Sequence, residues 1–171
     1  MKNLIFFAAL ALCAALAVRA RAGELGLNIN GLSYHYNTKY FYDDNYVKRD
    51  LNGNNAGLGL EFIAKENAQS IWAAEAGFFK DSLYYTAKYA AAEYKHKFSF
   101  CQSLSAGVAL VYFDTPSYRI HFGPLPIISF RPRGVPYLKD LSVNMTWFPD
   151  DSEENKSAIA FYLTWYFWKP K

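Results

Sequence analysis

The sequence is poor in the residues that build disulfides and metal sites. Its two cysteines are Cys13 and Cys101, and its three histidines are far apart along the chain. A single cysteine beyond the N-terminal segment cannot form an intramolecular disulfide, and no His or Cys spacing matches a metal site. These absences argue against a disulfide-stapled scaffold, and the sequence implies no metal and no cofactor.

Beyond residue 22 the sequence also lacks any apolar run of about 20 residues, the length that a membrane-spanning helix needs. The one long apolar run, residues 4–18, follows a basic start and precedes the small-x-small motif Ala20-Arg21-Ala22. This order is typical of a cleaved secretory signal peptide. We expect residues 1–22 to be removed and residues 23–171 to form a single barrel domain, since that length is ordinary for one domain.

Charge of one sign is not concentrated anywhere in the sequence. Lys and Arg number 18 against 15 Asp and Glu, which gives a net charge of +3. Nucleic-acid-binding proteins usually carry a concentrated basic stripe. We therefore expect no nucleic acid partner.

Aromatic residues, in contrast, are abundant. Phe, Trp and Tyr make up 19% of the chain, with 14 Tyr and 14 Phe. A soluble domain of this size buries only part of so many rings, whereas a transmembrane β-barrel places them in girdles at its two membrane interfaces. Secretion without a long apolar helix therefore favours an outer-membrane barrel over a secreted globular protein.

Eight segments have strand character, and several alternate bulky apolar with small or polar residues. The seventh, LSVNMTWF, places Leu, Val, Met and Trp on one face and Ser, Asn and Thr on the other. We predict an all-β fold, an eight-stranded antiparallel transmembrane β-barrel with its apolar face toward lipid. A soluble sandwich or lipocalin-like barrel with that face inward has the same periodicity. The predicted strands are 25–37, 56–64, 70–79, 83–97, 103–113, 119–130, 138–148 and 157–168.

Strand parity places three chemically active residues near each other. Outer-membrane barrels start and end on the periplasmic side, so the first strand reaches the exterior just after His35, and the turn with Asp81 and Ser82 lies at the same external rim. The narrow interior of an eight-stranded barrel allows a meeting across it. An imidazole, a carboxylate and a hydroxyl can together perform acyl transfer. The imidazole moves a proton, and the carboxylate orients the imidazole or stabilises its charged form. The hydroxyl is the nucleophile or donates a hydrogen bond to the oxyanion.

Two plainer interpretations stay open for these residues. The stretch Lys80-Asp81-Ser82 suits an ordinary polar hairpin turn, and His35 lies between tyrosines as an interfacial histidine would. Adjacent residues of a regular strand also point to opposite faces, so Asp81 and Ser82 can both face His35 only if they lie in a turn.

Longer stretches of the sequence resemble the lipid A palmitoyltransferase (PagP) family. The resemblance runs from about residue 32 to residue 149, and its most specific part is "FKDS" with an upstream His. The stretches that carry it, in the family's order, are "GLSYHYN", "AGLGLEF", "AGFFKDSLYYTAKYAAAEY", "GPLPIISFRP" and "LSVNMTWFP".

The resemblance implies an activity and a location. Members of the family are acyltransferases of the Gram-negative outer membrane that move a palmitoyl chain from a phospholipid to lipid A, with the site facing the outer leaflet. His35, Asp81 and Ser82 match the family's catalytic His, Asp and Ser. The implied partners are membrane lipids, a phospholipid as acyl donor and lipid A as acceptor. We expect a monomer, since a closed barrel needs no partner to protect its edges.

The sequence departs from the family in ways that favour an alternative. The first strand begins almost at Gly23, so we expect no amphipathic helix ahead of the barrel. Asn30 and Asn54 or Asn55 stand where the family has prolines, which puts one lateral doorway for lipids in doubt. The alternative is a PagP-like barrel without catalysis, acting as a structural, stress-related or lipid-binding outer-membrane protein.

Two expectations concern the lumen and its wall. The resemblance places Ala92 or Glu93 at the floor of the chamber that holds the acyl chain, and Pro126 at a lateral doorway where a missing N–H interrupts strand pairing. Parity turns Glu61, Glu75 and Glu93 inward, where Lys88, Arg119 or water is expected to compensate them.

Overall fold

A computed structural model of the protein describes residues 23–36, 40–42, 47–116, 122–149 and 157–169. In these ranges all regular secondary structure is β, and none of it is a helix long and apolar enough to span a membrane. The predicted signal peptide, residues 1–22, lies outside the described residues. The strands are β1 (Glu24–His35), β2 (Tyr40–Tyr42), β3 (Lys48–Asp50), β4 (Asn54–Glu66), β5 (Ser70–Lys80), β6 (Thr86–Phe98), β7 (Cys101–Asp114), β8 (Phe122–Phe130), β9 (Leu141–Phe148) and β10 (Ala158–Trp168).

The eight long strands form a closed antiparallel barrel, and β2 and β3 form a separate two-stranded hairpin. The order around the barrel is β1, β4, β5, β6, β7, β8, β9 and β10, and β10 pairs with β1 to close it. The predicted eight-stranded antiparallel barrel is confirmed. Each long strand therefore has a paired neighbour on both sides.

The outer face of the barrel is apolar. In β10 the side chains of Phe161, Leu163 and Trp165 are exposed, whereas Tyr162 and Thr164 between them are buried. The other strands repeat this alternation and give a wide surface of exposed Leu, Val, Phe and Trp side chains. An exposed apolar surface of this size is unfavourable in water. It is the lipid-facing band of a membrane barrel. The alternative of a soluble barrel with its apolar face inward is wrong.

The two ends of the barrel differ in their connections. The turn end carries residues 67–69, 99–100 and 131–140, and the site end carries the connections that follow His35, Lys80, Asp114 and Phe148. Two predicted strands begin too early, at 83 and 138 instead of Thr86 and Leu141, because the residues before them form hydrogen-bonded turns. The β2–β3 hairpin lies in the first site-end connection, which the sequence analysis leaves as a break between strands.

A bulge in β1 sets which side chains face the lumen near the site end. Against β10, Asn30 pairs with Tyr162 and Leu32 with Phe161, so Gly31 is an extra residue of β1 in this ladder. Before the bulge Asn28 is buried in the lumen, and after it His35 is buried while Leu32 is 64% exposed. A bulge re-aims the side chains that follow it. Here it turns the odd-numbered residues inward.

The turn-end half of the lumen is filled by a buried polar cluster. Lys95 Nζ lies 2.7 Å from Glu93 Oε2 and 3.3 Å from Glu61 Oε1. Glu75 Oε2 accepts a hydrogen bond of 2.6 Å from Asn28 Nδ2. Buried charges need such partners, because desolvation of an unpaired ion costs several kcal/mol. The inward direction predicted for the three glutamates is confirmed.

The expected compensation of these glutamates by Lys88 is wrong. Lys88 has the opposite parity in β6 from Glu93 and Lys95, so it lies on the other face of the strand. Arg119, the other expected partner, lies outside the described residues. Lys95 is two residues from Glu93, and the parity that turns the glutamate inward also turns this lysine inward.

Ion pairs close the barrel at the turn end. Arg131 Nη2 lies 2.6 Å from Glu24 Oε2, and the guanidinium lies 3.9 Å from the centroid of the Tyr166 ring. Glu66 pairs with Lys97. These contacts tie the first and last strands to the connection after β8. The open space of the lumen is therefore at the site end.

Candidate functional site

The stretch Lys80-Asp81-Ser82 begins the tight connection between β5 and β6. Asp81 N donates to Tyr85 O at 2.9 Å, and Tyr84 N donates to Asp81 O at 3.1 Å. Tyr84 has a φ of 66°, a left-handed conformation that is uncommon for a residue with a Cβ. Asp81 and Ser82 thus lie in a constrained turn and not on a regular strand.

Ser82 and His35 meet across the lumen at the site end. Ser82 Oγ lies 3.1 Å from His35 Nε2, and the two side chains are 9% and 7% exposed. His35 Nδ1 is also buried and has no hydrogen-bond partner among the described residues. The structure brings these two residues together, as the strand count predicts. Their catalytic role stays a prediction.

The Asp81 carboxylate holds the turn and does not bond to the imidazole. Its Oδ1 accepts from Leu83 N at 3.0 Å and Tyr85 N at 2.9 Å, and its Oδ2 accepts from Thr115 Oγ1 at 2.6 Å. The expected contact with His35 is not made, because a carboxylate at the start of a turn bonds to the amides that follow it. Among the described residues the carboxylate therefore contacts the turn that carries Ser82, and its catalytic role stays a prediction.

Two further residues, which were not predicted from the sequence, lie around the contact between Ser82 and His35. Asn52 holds the turn from the first site-end connection: its Nδ2 donates to Asp81 O at 3.0 Å, and its N donates to Ser82 O at 2.9 Å. Ser33 Oγ lies 3.4 Å from His35 Nε2 and 3.4 Å from Asn52 O. Strand alternation could have identified Ser33, because it lies two residues before His35. Asn52 lies in a connection between strands, where no periodic pattern points to it.

A mostly apolar cavity occupies the site-end half of the lumen. Ser33 and Ser82 are part of its lining, and most of the remaining lining is apolar. The cavity suits an extended apolar ligand whose polar end lies beside the two hydroxyls. The apolar lining includes Phe79, Val111, Phe113, Leu125, Ile127 and Phe148.

Glu75, Tyr89 and Tyr162 bound the cavity toward the turn end. Two glycines make room for the Tyr89 ring. A Cβ at Gly59 would lie 2.6 Å from Tyr89 Oη, and a Cβ at Gly77 would lie 2.9 Å from its Cε1. The floor of the cavity is therefore the Tyr89 ring, which packs against the backbone of the two glycines, with the buried carboxyl of Glu75 beside it.

Neither residue expected at the floor is there. Ala92 is exposed on the outer face of β6, because its parity is opposite to that of Tyr89. Glu93 is buried one layer deeper, against Lys95, and is not part of the cavity lining. The floor lies closer to the site end than the resemblance implies.

Beside the cavity, the barrel wall is only partly paired between β8 and β9. These strands pair only from Ile127 onward, although β8 begins at Phe122. Pro124 and Pro126 lie in the unpaired part, and proline has no N–H to donate. Thr146 Oγ1 donates to Pro126 O at 2.9 Å, so a side chain makes one link where the ladder stops. The interruption of pairing expected at Pro126 is present.

Asn55 has the opposite effect on another part of the wall. Its Nδ2 donates to Lys80 O at 2.7 Å, so it links β4 to β5 beyond the last ladder pair of these strands, Gly57 with Phe79. An amide that links two strands does not open a doorway. At this position, where the resemblance to the PagP family leads one to expect a proline, a side-chain hydrogen bond therefore links the two strands.

The arrangement provides a hydroxyl, an imidazole and an apolar chamber in one place. A hydroxyl bonded to an imidazole can be activated as a nucleophile, and the chamber excludes water from an apolar chain. No cluster of three potential metal-ligating side chains occurs among the described residues. The groups present suit acyl chemistry on a lipid more than chemistry on a charged soluble substrate.

The fold and surface define a class: an eight-stranded β-barrel of the outer-membrane type. No family model matches the chain, and no curated protein matches it. Among solved structures the chain is similar to the outer membrane protein Ail of Yersinia pestis in a phospholipid bilayer nanodisc. The sequence identity is 11% and the TM-score 0.40, over 84% of this chain and 98% of the Ail chain.

Proposed function

We propose that this protein is an outer-membrane acyltransferase that moves a fatty acyl chain from a phospholipid to lipid A, as the PagP family it resembles does. The observation that carries the proposal is the 3.1 Å contact between Ser82 Oγ and His35 Nε2 beside an apolar cavity. A structural hydrogen bond alone does not require an apolar chamber next to it. A lipid acyl chain explains both features together.

In the proposed reaction Ser82 is the nucleophile and His35 moves the proton. Ser82 Oγ bonds to the carbonyl carbon of the phospholipid ester while its proton passes to His35 Nε2. Collapse of the tetrahedral intermediate breaks the bond to the glycerol oxygen, which takes the proton from the imidazole. The acyl group then passes from Ser82 to a lipid A hydroxyl by the same steps. Asp81 holds the turn that presents Ser82.

Lipid access is proposed through the unpaired part of the wall. The gap beside Pro124 and Pro126 adjoins Leu125 and Ile127, which line the cavity. An acyl chain entering there passes from the bilayer into the chamber without crossing water. This route places the site in the leaflet next to the site end, which is the outer leaflet if the barrel has the usual orientation.

A lipid-binding barrel without turnover is the second candidate, and the cavity favours it as well. His35 Nδ1 has no described partner that would fix the tautomer of the imidazole. In hydrolases with a Ser-His-Asp triad, an acidic partner supplies that orientation. A barrel that only stores a lipid would need the chamber and not the proton transfer.

Transfer by the purified protein separates the two candidates. The barrel is folded in detergent micelles with phosphatidylcholine labelled in its sn-1 palmitoyl chain, and with lipid A. We expect the label to move to lipid A, and Ser82→Ala and His35→Ala to abolish the transfer. Ser129→Ala, a buried serine outside the cavity lining, and His96→Ala, on the outer face of β6, are matched controls.

The opposite outcome is equally clear. If the label stays on phosphatidylcholine with the folded wild-type barrel, the acyltransferase proposal is wrong. Lipid that co-purifies with the wild type and with both site variants would then favour the lipid-binding candidate.

A further inference from the structure

We propose that Ser33 is a further catalytic residue, whose hydroxyl donates a hydrogen bond to the oxyanion that forms when the lipid ester is attacked. This inference rests on the proposed acyl transfer. Acyl transfer through a tetrahedral intermediate places negative charge on the former carbonyl oxygen. A donor aimed at that oxygen is commonly among the largest contributions to such catalysis.

Ser33 faces the site because of the bulge in β1. The extra residue, Gly31, reverses the parity of the strand, so Ser33 and His35 share the lumen face while Leu32 and Tyr34 are exposed at 64% and 59%. Without that reversal Ser33 would point into lipid. The local backbone therefore brings a second hydroxyl into the site.

Ser33 and Ser82 converge on one nitrogen. Their Oγ atoms lie 3.4 Å and 3.1 Å from His35 Nε2. A ring nitrogen has a single in-plane lone pair, so it accepts one good hydrogen bond from one hydroxyl. Ser82 has the shorter contact and takes that position. The other contact of Ser33, to Asn52 O, is also 3.4 Å. Both contacts are long, and a hydroxyl held so weakly can turn to a substrate oxygen at little cost.

Several other donors around Ser82 are already engaged. Asn52 N bonds to Ser82 O, and the amides of Leu83 and Tyr85 bond to Asp81 Oδ1. The side-chain amides of Asn52 and Asn55 bond to backbone carbonyls at 3.0 Å and 2.7 Å. Among these described groups, the Ser33 hydroxyl is the one that lines the cavity with weak contacts of its own. It is the donor best placed for a developing charge.

In this step Ser33 acts only as a hydrogen-bond donor. Ser82 Oγ bonds to the carbonyl carbon, its proton passes to His35 Nε2, and the π electron pair moves to the carbonyl oxygen. Ser33 O–H bonds to that oxyanion and keeps its proton. When the carbonyl re-forms, the glycerol oxygen leaves with the proton from His35. Ser33 then returns to its resting contacts.

The test compares kcat and KM for label transfer from phosphatidylcholine to lipid A. Loss of one oxyanion donor costs about 10²–10³ in kcat in a well-studied hydrolase, so we expect Ser33→Ala to lower kcat at least about tenfold while KM changes little. Ser33→Thr, which keeps the hydroxyl, should restore much of kcat. Ser129→Ala is the control for loss of a buried serine elsewhere in the lumen.

Each other result has a definite meaning. If Ser33→Ala keeps the wild-type kcat while Ser82→Ala abolishes transfer, the role of Ser33 is overturned and the proposed function stands. If Ser33→Ala and Ser33→Thr lose kcat equally, or lose heat-modifiable gel mobility, the serine is structural and the inference is wrong. A folded wild-type barrel without transfer overturns the proposed function and this inference together.

Discussion

At the residue scale, Asp81 and Ser82 show how one turn gives two neighbours different tasks. The carboxylate is completely buried and accepts hydrogen bonds from two amides of its own turn and from Thr115. The hydroxyl of the next residue meets His35. Because the acid is committed to the turn, the imidazole has a hydroxyl partner and no direct contact with this carboxylate. Asp81 is in this sense a positioning residue.

Hydrogen exchange tests the positioning role of Asp81. In Asp81→Ala the amides of Leu83 and Tyr85 lose their acceptor, and each hydrogen bond to a charged group contributes about 1.5–3 kcal/mol. We expect these two amides to exchange at least about tenfold faster than in the wild type, since 1.4 kcal/mol is about a factor of ten. Native-state exchange followed by NMR measures both.

The control for this prediction is Asp140→Ala. Asp140 pairs with Lys169 at the turn end of the barrel, so its loss should leave exchange at the β5–β6 turn unchanged. Unchanged protection of Leu83 and Tyr85 in Asp81→Ala would show that the carboxylate does not hold the turn.

The sequence was informative about which residues meet and less so about how their side chains point. Strand counting brought His35 to the same rim as Asp81 and Ser82, because parity and strand length fix depth in a barrel. The direction of the Asp81 carboxylate depends on the dihedral angles of a five-residue turn. No periodic pattern encodes those angles, and Tyr84 at a φ of 66° is not signalled by a glycine.

At the element scale, local irregularities in regular strands build the site. The bulge at Gly31 turns His35 inward, and the ladder between β8 and β9 stops at Ile127. Regular alternation was readable from the sequence, which is why the eight barrel strands were predicted. The bulge was not, since Gly31 is one of 10 glycines and most of the others sit in unbroken ladders. The β2–β3 hairpin was missed because three-residue strands carry too little periodicity.

The floor of the cavity makes a prediction about acyl-chain length. Glu75→Ala removes part of the floor and should let a longer chain be transferred. Gly59→Ala places a Cβ 2.6 Å from Tyr89 Oη, so the ring has to move and the chamber should accept a shorter chain. Mass spectrometry of the product, with phospholipids of mixed acyl length as donors, measures the preferred chain for each variant.

Glu75→Gln is the matched control, because it keeps the size of the side chain and only replaces the carboxyl group with an amide. We expect it to leave the preferred length unchanged. The same length distribution in Glu75→Ala, Gly59→Ala and the wild type would show that the chain does not reach this floor.

At the scale of the whole molecule, the barrel is divided into an apolar chamber and a polar plug. The plug contains three buried carboxylates, of Glu61, Glu75 and Glu93, and the ammonium of Lys95. Breaking such a buried set by removing one partner costs about 3–5 kcal/mol in other proteins. The plug fills the lumen toward the turn end. The apolar chamber lies between the plug and the site with His35 and Ser82.

The most direct measurement is mass spectrometry of lipid A from Gram-negative cells with and without the protein. Cells with the wild-type barrel should gain lipid A heavier by one fatty acyl chain, and cells with Ser82→Ala should not. The Ser129→Ala barrel should behave as the wild type. Lipid A of unchanged mass in cells whose outer membrane contains the folded wild-type barrel would contradict acyl transfer by His35 and Ser82.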